Sequence, residues 1–492
     1  MSRFFVTSIT FVALVSACGP GATDTDIVEQ SSDVRIDGAP ANSDPESGDT
    51  VMCVNDRGEI YVAWIDDRDG TLDVWAQASL DFGENWLLTP VKVNRGVDNT
   101  VWNVRLACND DGAFAVWEDD RDGELQNHNI YFSRTLDGGQ KWLADDLLLE
   151  LDEDGDSFSQ GPEVIAVEND IYAVWYDNLN GAADIMLTSS SDNGDSWREP
   201  QRVDQGQPGE FFSGSPQIAA SETGRVYVVW EDTRDGNSDI WFNRSNDAGA
   251  SFEGTEIRID GGDDAGNAYS FLPKIHADGD EVYIVWHDAR NGEGRDVFLN
   301  YSGDGGATFY NSAVRVDTDN AGFYNSTFPV VRVAGNEAHV AWQDNRDGGY
   351  DIYYRKFVAG EGPEEEVRID LGSDPGFANS TDTAIALSNN GELAIAWEDQ
   401  RGDTDSDNGF NDLYYNFIGA EGFDGEDLRI DSLAPCASFK KDMSVHIHNG
   451  QLFTVWTDGR AGTADIYFKS LTLGDRGDFV ENDSPPSGGA AN

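Results

Sequence analysis

Carboxylates and arginines in a repeated pattern are the first side chains in this sequence that could do chemistry. The pattern is Trp-x-Asp-x-Arg, with a second Asp seven residues after the first, as in Asp232, Arg234 and Asp239. One arginine fork can bind two carboxylates, so each copy could clasp a turn, and a ring of such arginines could instead receive acidic ligands. Seven of eight copies share the arginine. This repetition favours the clasp, and departures from it are the better guide to function.

The departures define a candidate ligand set. One copy lacks the arginine and has Tyr176 beside the Asp, another has His287 and an additional Arg295, and the last copy carries the basic pair Lys440 and Lys441. Histidine and tyrosine can exchange protons with a substrate, so His287 with Tyr176 would be the pair to suspect in a polysaccharide lyase. The alternative is that each of these residues is ordinary surface.

A lengthened turn in the seventh copy could bind a cation. Asp403, Asp405 and Asp407 alternate there, and carboxylate oxygens are the ligands that calcium prefers. The loop lacks the Gly at position six and the Glu at position twelve of an EF-hand loop. We therefore keep two interpretations, a calcium site and a solvated acidic loop, and no other cofactor is indicated.

The charge balance excludes one class of partner. The 492 residues include 92 Asp and Glu against 32 Lys and Arg, a formal net charge of −60. Nucleic-acid binding requires a basic footprint, so we expect no nucleic-acid partner. Apolar residues at 39% and aromatic residues at 11% are enough for a core, which excludes wholesale disorder. The acidity favours a soluble protein with a few bound cations.

The elements that must position these residues repeat eight times. The tryptophan of the motif recurs at gaps of 53, 58, 55, 56, 56, 55 and 59 residues, at Trp64, Trp117, Trp175, Trp230, Trp286, Trp342, Trp397 and Trp456. Each unit contains four short runs of β-type residues separated by Gly, Asp and Asn, which predicts four antiparallel strands. A unit of this size with four strands is typical of a propeller blade.

The ends of the chain indicate how the ring closes. The outermost strand of a blade is a Val-Arg-Ile-Asp-like segment, and the eighth unit lacks one after its third strand. A spare copy, Val34–Asp37, precedes the first unit. We therefore predict an all-β fold, a single eight-bladed propeller over residues 33–472, in which strand 34–37 joins the last blade. Residues 473–492 are polar and predicted to be disordered.

The first residues predict export. Residues 1–17 combine an Arg, a short apolar run and small residues, as in a signal peptide. Leu14–Cys18 resembles the lipobox of bacterial lipoproteins, which implies a lipid on Cys18, a linker over residues 18–32 and a place at the outer membrane, with the lipid as the sole membrane contact. The alternative is an ordinary secretory signal and a secreted protein.

Five turns carry a second motif, Ser/Thr-x-Asp-x-Gly-x-x-Trp/Phe, with its Asp at Asp81, Asp137, Asp192, Asp247 and Asp304. The motif resembles the Asp box (BNR repeat) of bacterial sialidases and their relatives. The resemblance implies a propeller in which the box is structural and lies opposite the active site. The family's catalytic set does not carry over, because Phe271 stands where the family has an Arg.

Two functions from different classes remain. The first is a monomeric cell-surface protein that binds a glycan or a surface protein on the face of the Trp-x-Asp-x-Arg turns. The alternative is a carbohydrate-active enzyme, either a sialidase-like glycoside hydrolase or a polysaccharide lyase. An enzyme should show two carboxylates about 5–10 Å apart that the repeated arginines do not hold.

The cysteines allow one disulfide in an oxidising compartment. Cys53 and Cys108 fall on the predicted innermost strands of neighbouring blades, and Cys436 precedes the innermost strand of blade eight. The sequence leaves the pairing among the three open.

Overall fold

The computed structural model describes residues 33–38, 48–96, 99–121, 127–150, 157–252, 254–262, 264–401, 410–419, 422–423, 425, 427–432, 438–460 and 464–473. The predictions for residues 1–32 with Cys18, for the loop with Asp403, Asp405 and Asp407, for Cys436 and for the C-terminal tail lie outside these residues. No helix in the described part of the chain is long and apolar enough to cross a bilayer.

The described chain is all-β and begins with β1 (Val34–Arg35), which belongs to the last blade. Blade one contains β2 (Gly48–Val54), β3 (Ile60–Asp66), β4 (Asp73–Ser79) and β5 (Val91–Lys92). Blade two contains β6 (Val101–Asn109), β7 (Gly112–Asp119), β8 (Asn129–Thr135) and β9 (Leu147–Leu148). Blade three contains β10 (Ser159–Val167), β11 (Asp170–Asp177), β12 (Asp184–Ser190) and β13 (Gln201–Arg202). Blade four contains β14 (Ser213–Ala220), β15 (Val226–Asp232), β16 (Asp239–Ser245) and β17 (Ile257–Arg258).

The second half of the ring repeats this plan. Blade five contains β18 (Ser270–Asp278), β19 (Glu281–Asp288), β20 (Asp296–Ser302) and β21 (Val314–Arg315). Blade six contains β22 (Ser326–Ala334), β23 (Glu337–Asp344), β24 (Asp351–Val358), β25 (Gly362–Pro363) and β26 (Val367–Arg368). Blade seven contains β27 (Ser380–Leu387), β28 (Leu393–Asp399), β29 (Asp412–Gly419), β30 (Gly422–Phe423) and β31 (Leu428–Arg429). Blade eight contains β32 (Lys440–His448), β33 (Gln451–Asp458) and β34 (Asp465–Thr472).

The predicted closure is confirmed. β1 pairs antiparallel with β34, with Val34 opposite Phe468 and Arg35 opposite Tyr467, so the last sheet has the order β1-β34-β33-β32. Ile36 follows β1 and is buried in a cluster with Phe468 and Trp64, which joins the last blade to the first. The eight antiparallel blades therefore form a closed ring, an eight-bladed propeller, and β34 has a partner on each side.

The core lies between the blades. The second strand of each blade is an almost continuous buried run, such as β7, because neighbouring blades cover both of its faces. The eight motif tryptophans are each at most 1% exposed. In seven blades the indole Nε1 donates a hydrogen bond to the Asp two residues later, for example Trp117 to Asp119 at 3.1 Å. The motif thus anchors the blade core and fixes the carboxylate of the following turn.

The five segments that resemble Asp boxes form hydrogen-bonded turns between the third and fourth strands, which we call the Asp-box turns. In blade three, Ser190 Oγ accepts the amide of Gly194 at 2.8 Å, and Asp192 Oδ1 accepts the amide of Ser196 at 2.8 Å. The box aromatic contacts the preceding blade, as Trp197 packs edge-on against Phe132. In blades six and seven, which lack the box, β25 and β30 extend the sheet instead.

The disulfide joins Cys53 to Cys108, with 5.9 Å between the two Cα atoms. These residues lie on β2 and β6, the innermost strands of blades one and two. The pairing that the sequence left open is therefore decided by the neighbouring positions of these strands in the ring.

Candidate functional site

The site lies at the end of the ring where each innermost strand begins. The turns between second and third strands are at that end, and so are the crossings from one blade's fourth strand to the next blade's first strand. We call this end the crossover face. The Asp-box turns lie at the opposite end, because successive strands of a blade are antiparallel.

The repeated arginines are held within the protein. All seven pair with the Asp of their own motif, and their side chains are only 9–17% exposed; they are Arg68, Arg121, Arg234, Arg290, Arg346, Arg401 and Arg460. Burial opposes ionisation of Asp232, but the hydrogen bond and charge of Arg234 outweigh it and lower the pKa of that carboxyl. These arginines form turn clasps and do not offer a ring of free guanidinium groups to an acidic ligand.

The second carboxylate of the clasp differs from the sequence-based expectation. Arg234 bridges Asp232 to Glu256, which precedes the fourth strand, and does not pair with Asp239. Asp239 pairs instead with Arg258 of β17, at 3.2 Å. The expectation was wrong because the fourth strand pairs with the third and brings its own arginine beside the second Asp.

The second Asp has a further role, because it holds the crossing to the next blade. Both carboxylate oxygens of Asp239 accept the amide of Gly266, at 3.1 and 2.9 Å. Gly266 has φ +66°, and a Cβ there would lie 2.0 Å from the carbonyl oxygen of Asp235. Only glycine fits this close approach. The same arrangement recurs at Asp184, Asp296 and Asp351.

These anchored crossings present aromatic side chains to solvent. Four consecutive crossings, which enter blades four to seven, carry exposed rings, and blade six adds one on its first strand. We call this set the aromatic crescent: Phe211 (41% exposed), Phe212 (43%), Tyr269 (49%), Phe323 (71%), Phe328 (52%) and Phe377 (75%). Exposed apolar residues grouped on one face of a protein mark an interaction surface.

The rim of the central channel is built from eight strained residues. The third residue of seven innermost strands, and the second residue of β2, has φ between +46° and +61°: Asp49, Asn103, Gly161, Ser215, Leu272, Phe328, Asp382 and Asp442. The strand register shifts at this point, for example between Phe271 and Lys274. Bulky residues such as Leu272 and Phe328 rarely adopt this conformation, which occurs mainly where function or packing demands it.

The blade before supports four of these residues through the side chain between Trp and Asp of its motif, which accepts the backbone amide: Gly161, Leu272, Phe328 and Asp382. The residue between Trp and Asp of one blade reaches the rim of the next, so Glu231 Oε1 accepts the amide of Leu272 at 2.9 Å. His287 Nδ1 similarly accepts the amide of Phe328 at 3.4 Å. These residues form a ring below the rim: Ile65, Glu118, Tyr176, Glu231, His287, Gln343, Glu398 and Thr457.

His287 and Arg295 come together beside the crescent. The His287 ring lies 5.6 Å from Phe271 and 5.8 Å from Phe328. Burial, helped by the charge of Arg295, lowers the pKa of His287 to about 4, so the ring is neutral near neutral pH. The exposed Arg295 lies with its Cζ 5.4 Å from the Phe271 ring. Among the described residues no carboxylate forms an ion pair with it.

Tyr176 lies two blades away from His287. Its hydroxyl donates to Gln160 Oε1 at 2.8 Å, and its ring contacts Phe158 and Phe212. Burial and the nearby Glu118 raise its pKa. No hydrogen bond or ring contact between described residues joins Tyr176 to His287, so the structure does not assemble the suspected lyase pair.

The two lysines of blade eight have different surroundings. The Lys440 side chain is fully buried, and its Nζ donates to the Asn411 carbonyl at 2.7 Å and pairs with Asp412 at 3.2 Å. Lys440 therefore links blades seven and eight and does not face solvent as expected. The Lys441 side chain is 51% exposed, with its Nζ 3.7 Å from Asp442.

In the part of the chain that the structure describes, three carboxyl groups on the rim of blades seven and eight are not paired with a motif arginine. They belong to Glu398, Asp382 and Asp442. Burial, followed by the charges of Asp382 and Asp442, raises the pKa of Glu398 to about 9. Burial and Asp442 also raise the pKa of Asp382. The sequence analysis did not single out Glu398. The available signal was that the residue between Trp and Asp varies from copy to copy of an otherwise repeated motif.

One acidic group has the spacing of a metal site. Oxygen atoms of Asp296, Asp317 and Asp319 lie within 4.8 Å of one another. The guanidinium of Arg315 pairs with all three carboxylates, however, at 3.0 Å from Asp296. An internal cation thus already pairs with every carboxylate of this group and offsets part of its charge.

Comparisons with known proteins give fold-level likeness only. No protein-family model matches the chain, and no curated protein matches it. A protein of unknown function from Dyadobacter fermentans is 12% identical with a TM-score of 0.42, over 90% of this chain and 98% of that one. The NanB sialidase of Streptococcus pneumoniae is 10% identical with a TM-score of 0.41, over 90% and 94%. A GH93 α-L-arabinofuranosidase of Fusarium graminearum is 13% identical with a TM-score of 0.39, over 64% and 92%.

Proposed function

We propose that the crossover face binds a carbohydrate, and that the protein is an Asp-box, sialidase-like propeller displayed at the cell surface. The observation that carries this proposal is the aromatic crescent beside the mouth of the channel. All its members except Phe328 come from loops that the second Asp of the preceding blade holds in place, for example through Asp351 and Gly376. A preorganised set of exposed rings loses little conformational entropy when it binds a ligand.

A carbohydrate matches the mixture of groups on this face. A sugar ring has apolar C–H surfaces that stack on aromatic faces and hydroxyl groups that need hydrogen-bond partners. Polar groups with free capacity lie next to the crescent, notably Arg295, which is exposed over the Phe271 ring. A protein ligand would use the same rings, so the experiment below separates the two.

Binding is favoured over catalysis because the motif carboxylates and the suspected lyase pair are not arranged for proton transfer to a substrate. Every described Trp-x-Asp-x-Arg carboxylate is held by its own arginine, and Tyr176 and His287 are not in contact. The arrangement is that of a rigid rim with recognition groups, as expected for a lectin-like surface.

A second candidate function rests on Glu398. With a pKa of about 9 its carboxyl holds a proton at neutral pH, and the rim carboxylates Asp382 and Asp442 are close enough to raise that pKa. A protonated acid beside a carboxylate is the pair that glycoside hydrolases use. A hydrolase acting on the same carbohydrate is therefore the alternative.

A glycan array probed with the full chain tests the proposal. The double variant Phe323→Ser/Phe377→Ser should bind at least about tenfold more weakly, because it removes the two most exposed rings of the crescent. Leu88→Ser is the matched control, since Leu88 is fully exposed but follows β4 near the Asp-box end. Equal binding by all three proteins, or capture of a protein and no glycan, would contradict the proposal.

Release of sugar from the bound glycan tests the alternative. A hydrolase would lose turnover in Glu398→Gln and still bind its ligand, whereas a lectin shows no release before or after the substitution.

The proposed lipid anchor on Cys18 is tested separately. When cell extracts are partitioned between detergent and water, the wild type should enter the detergent phase, and Cys18→Ser should move the protein to the aqueous phase.

A further inference from the structure

The walls of the central channel carry charges of the opposite sign to the rest of the protein. Successive innermost strands contact one another around the ring, including β32 with β2, so their inward side chains face a common lumen. Four residues after the first residue of the strand, the inward positions in blades two to five are Arg105, Glu163, Gln217 and Lys274. Two residues further along the strand, the inward positions include His276, Arg332 and His446.

The first of these layers forms a chain of contacts across four blades. Arg105 Nε lies 3.3 Å from Glu163 Oε1. Gln217 Nε2 donates to the same oxygen at 2.9 Å, and Lys274 Nζ donates to Gln217 Oε1 at 3.1 Å. Side chains from four separate sheets can meet in this way only if all of them point into the channel.

Within the described part of the chain, Arg332 in the second layer has no carboxylate partner. Its described hydrogen bond runs from Nη1 to the carbonyl of the preceding Val331, at 3.0 Å. The side chain is exposed to solvent within the lumen. Protein nevertheless encloses it, and this burial lowers its pKa. Elsewhere in this chain, arginines in the blade turns pair with carboxylates, so Arg332 differs from them in leaving its charge facing the lumen.

The cations act on one another across the lumen. Burial lowers the pKa of Lys274, Glu163 opposes this change, and the charges of Arg105 and Arg332 add to it. Burial and Arg332 lower the pKa of His276 to about 3. Of these three cations, only Arg105 forms an ion pair with Glu163 among the described residues, and the neighbouring imidazole is neutral at physiological pH.

The contrast with the surroundings makes this excess of positive charge informative. The chain has a net charge of −60, and acidic residues reach the rim of the same channel at Asp49, Asp382 and Asp442. Glu163, together with Asp49 and Glu118, acts on Arg105 and raises its pKa. No ion pair joins Lys274 or Arg332 to a carboxylate among the described residues. The positive charges of Lys274 and Arg332 therefore remain for a mobile partner.

We propose that the lumen is an anion site, in which Arg105, Lys274 and Arg332 bind a small oxyanion such as a carboxylate, sulfate or phosphate group. A guanidinium fork suits two oxygens of such a group, and Lys274 supplies a point charge from another blade. The neutral imidazole of His276 borders the site without adding to its charge. The site is distinct from the aromatic crescent and does not rest on the proposed carbohydrate ligand.

Isothermal titration calorimetry on the full chain tests the site. Sodium sulfate, sodium phosphate and sodium acetate are titrated separately at a constant ionic strength near 0.15 M, where long-range repulsion by surface acids is largely screened. We expect at least one of the three to bind, and Arg332→Gln to weaken that binding about tenfold or more. The anion that binds identifies the oxyanion class.

The matched control is Arg57→Gln. Arg57 is 52% exposed in the turn between β2 and β3, at the end of the ring away from the crossover face. Arg57→Gln removes the same charge from the protein as Arg332→Gln. It should leave anion binding unchanged, because Arg57 lies outside the lumen. Loss of binding in both variants would show a general charge effect and overturn the assignment.

Lys274→Gln provides a second test that does not depend on Arg332. It should also weaken the binding, and the bound anion should raise the melting temperature of the wild type more than that of either lumen variant. Absence of binding by all three anions, or wild-type binding by a folded Arg332→Gln or Lys274→Gln protein, would refute the site. Glycan binding should persist in both variants.

Discussion

Single arginines show how this acidic protein uses its few cations. Arg346 bridges Asp344 to Glu366 and lies over the Tyr353 ring, so one side chain ties a turn, a neighbouring strand and the blade core together. Because the chain has 92 acidic and only 32 basic residues, an arginine that pairs with two carboxylates offsets more negative charge than one that pairs with a single carboxylate. The arginines of the repeat are thus fixed by packing and are a poor guide to the ligand.

We expect Arg346→Gln to destabilise the fold by about 3–5 kcal/mol, because it leaves two buried carboxylates without a cation. The matched control is Arg225→Gln, which breaks an exposed pair with Asp280 and should cost about 1 kcal/mol or less. Urea denaturation of the three proteins measures both values. Similar losses in the two variants would contradict the clasp.

Glu398 gives a prediction with a defined pH dependence. Its folded pKa of about 9 is above the ordinary 4.5, so the folded state holds the proton more tightly than the unfolded state. This contribution is complete below pH 4.5 and is lost as the pH rises towards 9. Glutamine never ionises. Glu398→Gln should therefore gain stability over the wild type by about 1 kcal/mol per pH unit between pH 5 and 8. A gap that does not change with pH would disprove the raised pKa.

Among the elements, the short strand β1 has an effect out of proportion to its length. It supplies the fourth strand of blade eight and places Ile36 against Phe468 and Trp64. Arg35 adds an ion pair to Asp465 at 2.6 Å. The pairing of β1 with β34 joins the two ends of the ring, so the stability of the first and last blades should depend on this strand.

The closing strand offers a matched pair of substitutions. Ile36 is 3% exposed and Val34 is 39% exposed, although they are two residues apart. Ile36→Asp should destabilise the protein by about 3 kcal/mol or more, because it buries an unpaired charge, whereas Val34→Asp should change the stability by about 0.5 kcal/mol. Urea denaturation and limited proteolysis of the first residues would report the difference. Equal tolerance would mean that β1 does not close the ring.

At the scale of the whole molecule, the charge of −60 opposes compaction. The buried clasps are little affected by salt, but the repulsion among exposed acids is screened once the Debye length falls from about 30 Å at 0.01 M to about 8 Å at 0.15 M. The molecule is therefore balanced between internal ion pairs that salt hardly weakens and surface repulsion that salt removes.

Raising sodium chloride from 0.01 M to 0.3 M should consequently stabilise the folded state, seen as a higher urea midpoint. Choline chloride should have the same effect at equal ionic strength, because screening does not depend on which cation is present. A midpoint that falls with salt would show that exposed ion pairs dominate. A response to sodium alone would indicate specific cation binding in place of screening.

Much of the fold could be predicted from local patterns. The tryptophan repeat, the turn residues and the spare Val34–Asp37 segment indicated eight blades and their closure, because hydrogen bonding and burial within a blade depend on residues close in sequence. His287 and Arg295 could be singled out because both break the repeat within one blade, and the structure places each of them beside the Phe271 ring.

The remaining parts of the site depended on distances between blades. Lys440 was expected at the surface, and packing between blades seven and eight buries it against Asp412. The clasp partner Glu256 and the importance of Glu398 were missed for the same reason: each acts on a residue that the chain reaches only after another strand or blade.

The amino-acid order alone thus determined the unit, its number and the way the ends join, because these follow from short-range periodicity and turn chemistry. Only the tertiary structure decided which charges are free. In a closed ring, every innermost strand faces one lumen and every crossing shares one rim, so residues as distant as Arg105 and Arg332 act on the same Lys274. Proximity of that kind arises from closure of the ring, and no local pattern carries it.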